Sequence, residues 1–242
     1  MDSPPLPQLK GSPSSKTERT FEQILQAIAE QMPCEDCGLK ADAERDAENE
    51  RAEADRQADV LARRVARSGL PRMLQGNSLD TLDDQVRELM RAFAERQVDA
   101  VALYGSFGVG KTHAAAAAFQ ARLEHGPGRW FYLPTLFARL AAGFDSPARE
   151  EALAALASRR GALVLDDIDK ARPTEYGAEI ILTAVDEAVT NGDALIITTN
   201  LKFSELAKKW PEPYGDAIAS RLAGYCQVLT MTGADRRLAR PA

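Results

Sequence analysis

Cysteine and histidine are scarce in this chain. Three cysteines (Cys34, Cys37, Cys226) and two histidines (His113, His125) are spread over 242 residues. Three thiols cannot build the disulfide framework of a small secreted scaffold, so a reducing, cytoplasmic setting is expected. No apolar run reaches membrane-spanning length, and the N-terminus is not patterned as a secretory signal, so no membrane partner is expected. Basic residues are not in excess either. Lys and Arg number 30 against 36 Asp and Glu, a net charge of −6. That argues against a surface coated in non-specific nucleic-acid contacts, while leaving room for a local basic groove. The chain does have the means to bury a full core. It is 45% hydrophobic and 27% charged, which fits one domain plus a smaller appendage.

The most informative stretch is Gly105-Ser106-Phe107-Gly108-Val109-Gly110-Lys111-Thr112. It has the G-x-x-x-x-G-K-T spacing of a phosphate-binding loop. Its glycines, lacking Cβ, permit backbone geometry that aims N–H groups at phosphate oxygens. Lys111 would bring a positive charge to the β- and γ-phosphates, and Thr112 a hydroxyl to Mg²⁺. The apolar run from Asp99 to Tyr104 before it has strand length. The Ala-rich segment from Lys111 to Glu124 reads as a helix whose N-terminus faces the anion. A second signal is the apolar strand Gly161 to Leu165 running into Asp166-Asp167. After such a strand one carboxylate, Asp166, is suited to hold Mg²⁺. Asp167 is suited to orient and deprotonate the attacking water. The next strand, Asp193 to Thr199, ends at Asn200, which either senses the γ-phosphate or caps the following helix, Phe203 to Lys209. Arg221 is the one cation on the apolar helix Gly215 to Gly224. It reads as an arginine finger for a neighbour's phosphate or as a surface salt bridge.

The rest of the chain falls into three parts. Met1 to Thr20, rich in Pro and Ser, is expected to be a disordered tail. Residues 21–68 are expected to form a helical, partner-binding region. In it, Phe21 to Met32 has helical spacing with Thr20 as a cap, and Pro33 ends it. Lys40 to Ser68 is a Gly- and Pro-free run, acidic first and basic last, in keeping with the helix dipole. It reads as a solvated connector or as a docking helix. Cys34-Glu35-Asp36-Cys37 has half the ligands of a tetrahedral zinc site. It stands as a half-site completed by another chain, a relic of a lost zinc ribbon, or two thiols in a turn. Residues 69–242 carry the nucleotide motifs. Helices are expected at Asp83 to Gln97, Pro134 to Ala142, Ala148 to Arg159 and Glu175 to Asn191. Strands are expected at Arg129 to Leu133 and Tyr225 to Met231.

Taken together, these motifs resemble an AAA+ ATPase, and more closely the replicative helicase loaders of the DnaC/DnaI type and the related IstB transposition helpers. The resemblance rests on Gly108 to His113, Val164 to Asp167, Lys170 to Glu175, Thr198 to Leu201, Ser220 to Leu222 and Gly233 to Arg237. It implies a three-layer α/β domain with a central parallel sheet, preceded by a helical N-terminal region. It also implies ATP and Mg²⁺ at Gly105, Ser106, Gly108, Val109, Gly110, Lys111, Thr112, His113 and Asp166, with Asp167 as general base and Asn200 as sensor. Arg221 would be a finger supplied in trans across ATP-bridged subunit interfaces, and Arg237 a second sensor. Loaders of this group often carry an N-terminal zinc-bearing domain, of which Cys34 and Cys37 alone match. The implied role is ATP-dependent loading of a hexameric replicative helicase onto single-stranded DNA. A transposition helper and a nucleotide-gated adaptor with little hydrolysis are the rivals. Intact Asp167 and Arg221 speak against the adaptor.

Overall fold

A computed structural model describes residues 20–23, 26, 35–141, 146–157, 161–170 and 173–236. Contacts divide the chain into two units, Met1–Ala54 and Asp55–Ala242. Helix α1 (Glu35–Ser68) runs through the end of the first and into the second. It starts five residues before the expected Lys40 and includes Gly38. The cost of one glycine, about 1 kcal/mol, is carried by a long run of helix formers. Side chains from residue 42 to residue 54 are exposed. The expected helix from Phe21 to Met32, like Cys34, lies largely outside the described residues.

Within the second unit five strands form one sheet. They are β1 (Ala100–Gly105), β2 (Gly128–Tyr132), β3 (Ala162–Asp166), β4 (Ala194–Thr199) and β5 (Gln227–Met231), in the spatial order β2-β3-β4-β1-β5. All neighbours are parallel, with Leu103 opposite Thr198 and Leu165 opposite Ile197. Parallel strands covered on both faces read as unbroken apolar runs, and β1, β3 and β4 do. Alternate residues serve opposite layers. Val101, Leu103, Val164 and Ile196 meet α2 (Asp84–Ala94) and α3 (Lys111–Leu123). Ala102, Leu163, Leu165, Leu195 and Ile197 meet a layer of five helices. These are α4 (Leu133–Leu140), α5 (Pro147–Ala157), α6 (Glu175–Asn191), α7 (Phe203–Lys209) and α8 (Tyr214–Tyr225).

The consecutive alanines Ala114 to Ala118 are all fully or almost fully buried. Small side chains on every side let α3 lie close under the sheet, so the loop that feeds it is held against the strand ends. Leu61 and Val65 of α1 pack on this same layer. Arg64 donates from Nη1 to the carbonyls of Leu123 and Glu124, 2.8 Å each, a cationic cap on the end of α3. Among the described residues no helix is long and apolar enough to cross a membrane.

Candidate active site

The C-terminal ends of β1, β3 and β4 lie side by side, and the motif residues project from them. After β1 the chain turns through Gly105 to Gly110 into α3. Gly108 and Gly110 have φ of 75° and 100°, a left-handed region that costs other residues about 1–2 kcal/mol. A Cβ on Gly108 would collide with the Asp235 carboxylate, and one on Gly105 with the Met231 carbonyl. The segment after β5 thus lies along the loop. The Arg236 N–H donates to the Gly108 carbonyl at 3.0 Å, and its guanidinium runs past Gly110 to pair with Asp83.

Lys111 is 6% exposed. Its ammonium donates to the carbonyls of Gly105 (2.9 Å) and Ser106 (2.8 Å) and to Asn200 Oδ1 (2.7 Å). Burial lowers its pKa, and the nearby carboxylates of Asp167, Asp169 and Asp166 oppose that shift. Thr112 Oγ1 donates to Asp166 Oδ1 at 3.0 Å, and Thr198 Oγ1 to the same oxygen at 2.6 Å. Burial pushes the Asp166 carboxyl up to about 6, against the pull of those hydrogen bonds. Thr198 Oγ1 in turn accepts the Asp167 N–H at 2.8 Å. Asp167 has a φ of 56°, and its Oδ2 accepts from Lys170 Nζ at 2.6 Å. Asn200 is held by Asp169, which accepts from its backbone N–H and from Nδ2, 2.8 Å each.

The sequence-predicted residues therefore form two contact groups at these strand ends: Lys111 with Asn200, which Asp169 holds, and Thr112 with Asp166, linked through Thr198 to the Asp167 backbone N–H. Val109 is buried beneath the loop. His113 lies in the first turn of α3 with Nε2 2.9 Å from Thr81 Oγ1. Its pKa is lowered by burial and by Arg236. Arg221 is not in this group. It stands on α8, half-exposed, in an ion pair with Asp186 of α6. The predicted second sensor Arg237 and the zinc half-site residue Cys34 lie outside the described residues, as does the side chain of Cys37. Among the described residues, Arg236 is the arginine that lies on the loop.

Two positioning groups had no role assigned from sequence. Asp169, 5% exposed, orients Asn200, and Thr198 bridges Asp166 and Asp167. The signal was present in Asp166-Asp167-Ile168-Asp169-Lys170, where a third carboxylate follows the two that already have roles.

The donor set fits a nucleotide with a divalent cation. The glycine backbone leaves no room for side chains, and a buried ammonium is held at the base of the loop. A hydroxyl and a buried carboxylate within hydrogen-bond distance of each other are hard oxygen ligands for Mg²⁺. Sheet order, loop and paired aspartates define the α/β P-loop AAA+ fold. The chain belongs to the IstB-like ATP binding protein family, whose profile matches residues 51–241. Among solved structures it is similar to DnaI, with a TM-score of 0.57 and 23% identity over 69% of this chain and 94% of that one. It is also similar to the DnaC helicase loader, with a TM-score of 0.57 and 24% identity over 67% of this chain and 100% of that one. AMPPCP-bound DnaA from Aquifex aeolicus gives 0.54 and 17% over 64% of this chain and 50% of that one. At these identities the likeness carries the fold. No curated protein sequence matches the chain.

Proposed function

We propose that this chain binds ATP with Mg²⁺, hydrolyses the ATP, and uses that cycle to load a hexameric replicative helicase onto single-stranded DNA. The observation that carries the ATPase reading is the chain of contacts Thr112–Asp166–Thr198–Asp167, one residue along from the buried Lys111. Bound Mg·ATP supplies a γ-phosphoryl group and a cation that draws charge from it. The loop N–H groups and Lys111 would hold the phosphates, and Thr112 and Asp166 the cation. Asp167 would accept the proton of the attacking water, while Asn200, fixed by Asp169, keeps a polar group beside Lys111. The loader role is supported by the fold shared with DnaI and DnaC. On this reading the N-terminal region grips the helicase, and Cys34 with Cys37 supplies half of a zinc site.

The second reading is a transposition helper, favoured by the family match, which is to IstB-like proteins. Two measurements test the proposal. Lys111→Ala should abolish binding of a fluorescent ATP analogue, and equal affinity in the two proteins would refute the nucleotide site. Affinity capture against purified replicative helicase and against transposase then separates the two roles, since each reading requires one partner and not the other.

A further inference from the structure

Lys170 belongs to none of the motifs that hold nucleotide, yet it contacts two of them. The turn Asp167 to Lys170 is closed by a hydrogen bond from the Lys170 N–H to the Asp167 carbonyl, 3.0 Å. That closure brings the two side chains together, with Lys170 Nζ 2.6 Å from Asp167 Oδ2. The other oxygen of Asp167 takes no hydrogen bond from any described residue. The same ammonium lies over the ring of Phe107, 5.7 Å from its centroid. Phe107 is the residue at the middle of the phosphate-binding loop, and its side chain is 60% exposed. The backbone of Asp167 is fixed independently, left-handed at φ 56° with its N–H on Thr198 Oγ1. Only the carboxylate rotamer is left to be set, and the ion pair sets it.

We propose that Lys170 is a positioning residue that fixes the Asp167 carboxylate by one oxygen, leaves the other to accept a proton, and ties that arrangement to the loop through Phe107. The inference rests on Asp167 being the general base. A base must be held in one orientation to act, and a small misplacement costs up to about 100-fold in rate. A lone carboxylate on a turn, 11% exposed, has neighbouring rotamers to visit. A lysine whose ammonium has an acceptor on one side and a π-face on the other removes them.

The test uses the full chain with Lys170→Met, Lys170→Arg and Asp167→Asn, measuring ATP turnover and the affinity of a fluorescent ATP analogue. Lys170→Met should lower kcat roughly 10- to 100-fold while KM and the analogue's Kd stay unchanged, and Lys170→Arg should recover most of the loss. Independently of hydrolysis, a Phe107→Trp chain without nucleotide should change its indole emission when Lys170 is replaced by Met. Undiminished or raised turnover in Lys170→Met, with Asp167→Asn inactive, overturns the proposal and leaves the base standing. Wild-type turnover in Asp167→Asn overturns both together. Affinity falling in step with kcat would make Lys170 an ordinary phosphate contact, and unchanged emission would remove the tie to the loop; either result overturns the proposal as stated.

Discussion

Asp169 shows what a single buried carboxylate does here. It accepts from both the backbone and the side chain of Asn200, which turns the amide so that Oδ1 faces Lys111. Asp169→Ala would leave both Asn200 donors without their acceptor, at a cost of about 1–3 kcal/mol for such orphaned groups. In a chain of this size that lowers the melting temperature by roughly 2–4 °C per kcal/mol. Turnover should also fall, because Asn200 loses its fixed orientation. If Asp169 acts through Asn200, Asn200→Ala and the double variant should have the same turnover, since a chain of contacts broken twice loses no more than when broken once. Additive losses would give Asp169 a role of its own. Asp167→Asn tests the neighbouring function. It should bind ATP and fail to hydrolyse it, and a binding loss equal to the turnover loss would move Asp167 from chemistry to binding.

At the scale of elements, the contact most open to test is the cap that α1 places on α3. Arg64 meets the last carbonyls of α3 from 60 residues away in sequence. It is partly exposed, so its charged hydrogen bonds are discounted for solvent, and Arg64→Ala should cost about 1 kcal/mol. A urea titration should show a lower midpoint at an unchanged slope. No change in midpoint would make the contact incidental. This cap was not legible in the sequence, and the reason is physical. Arg63, Arg64 and Arg67 all read as dipole partners for the end of their own helix, and nothing local says that one of them reaches another helix. The strands were legible because parallel, doubly covered strands need apolar runs, and Ala-Leu-Val-Leu before Asp166 has no other use. The loop was legible because its glycines are required by positive φ at Gly108 and Gly110. The resemblance put Arg237 of the closing segment at the nucleotide, but local pattern gave no sign that Asp235 and Arg236 lie on the loop, since Gly108 and Asp83, which they meet, are distant in sequence. The same applies to Arg221. The sequence marked it as the one cation of its helix and left open whether it was a finger or a surface salt bridge. In the isolated chain it makes the salt bridge.

For the whole molecule the question is which parts act within one chain and which need another. Asp55–Ala242 is one compact unit, and Leu61, Arg64 and Val65 belong to it by their packing. A chain lacking residues 1–54 should therefore keep wild-type ATP affinity and lose capture of the helicase, whereas one starting at Gly69 should also be less stable. Capture by the shorter chain would reassign the partner-binding role. Arg221 poses the same question within the ATPase unit. Its side chain is 47% exposed, and that of its partner Asp186 is 38% exposed. Surface ion pairs of this kind contribute about 0–1 kcal/mol, so a neighbour's phosphate can displace Asp186 at little cost. Arg221→Ala should leave ATP binding by isolated chains intact. Assembly-dependent hydrolysis should fall by about 10³-fold or more, the range for arginines supplied to a phosphoryl transfer. Asp186→Asn removes the competing carboxylate and should shift the onset of hydrolysis to lower protein concentration. Mixing decides the matter. Arg221→Ala retains a working nucleotide site and Lys111→Ala retains the arginine, so each is inactive alone and the two together can form one competent interface. Recovered turnover in the mixture would establish catalysis between subunits. Co-assembly without recovery would leave Arg221 as the surface partner of Asp186 and the chain working as a monomer.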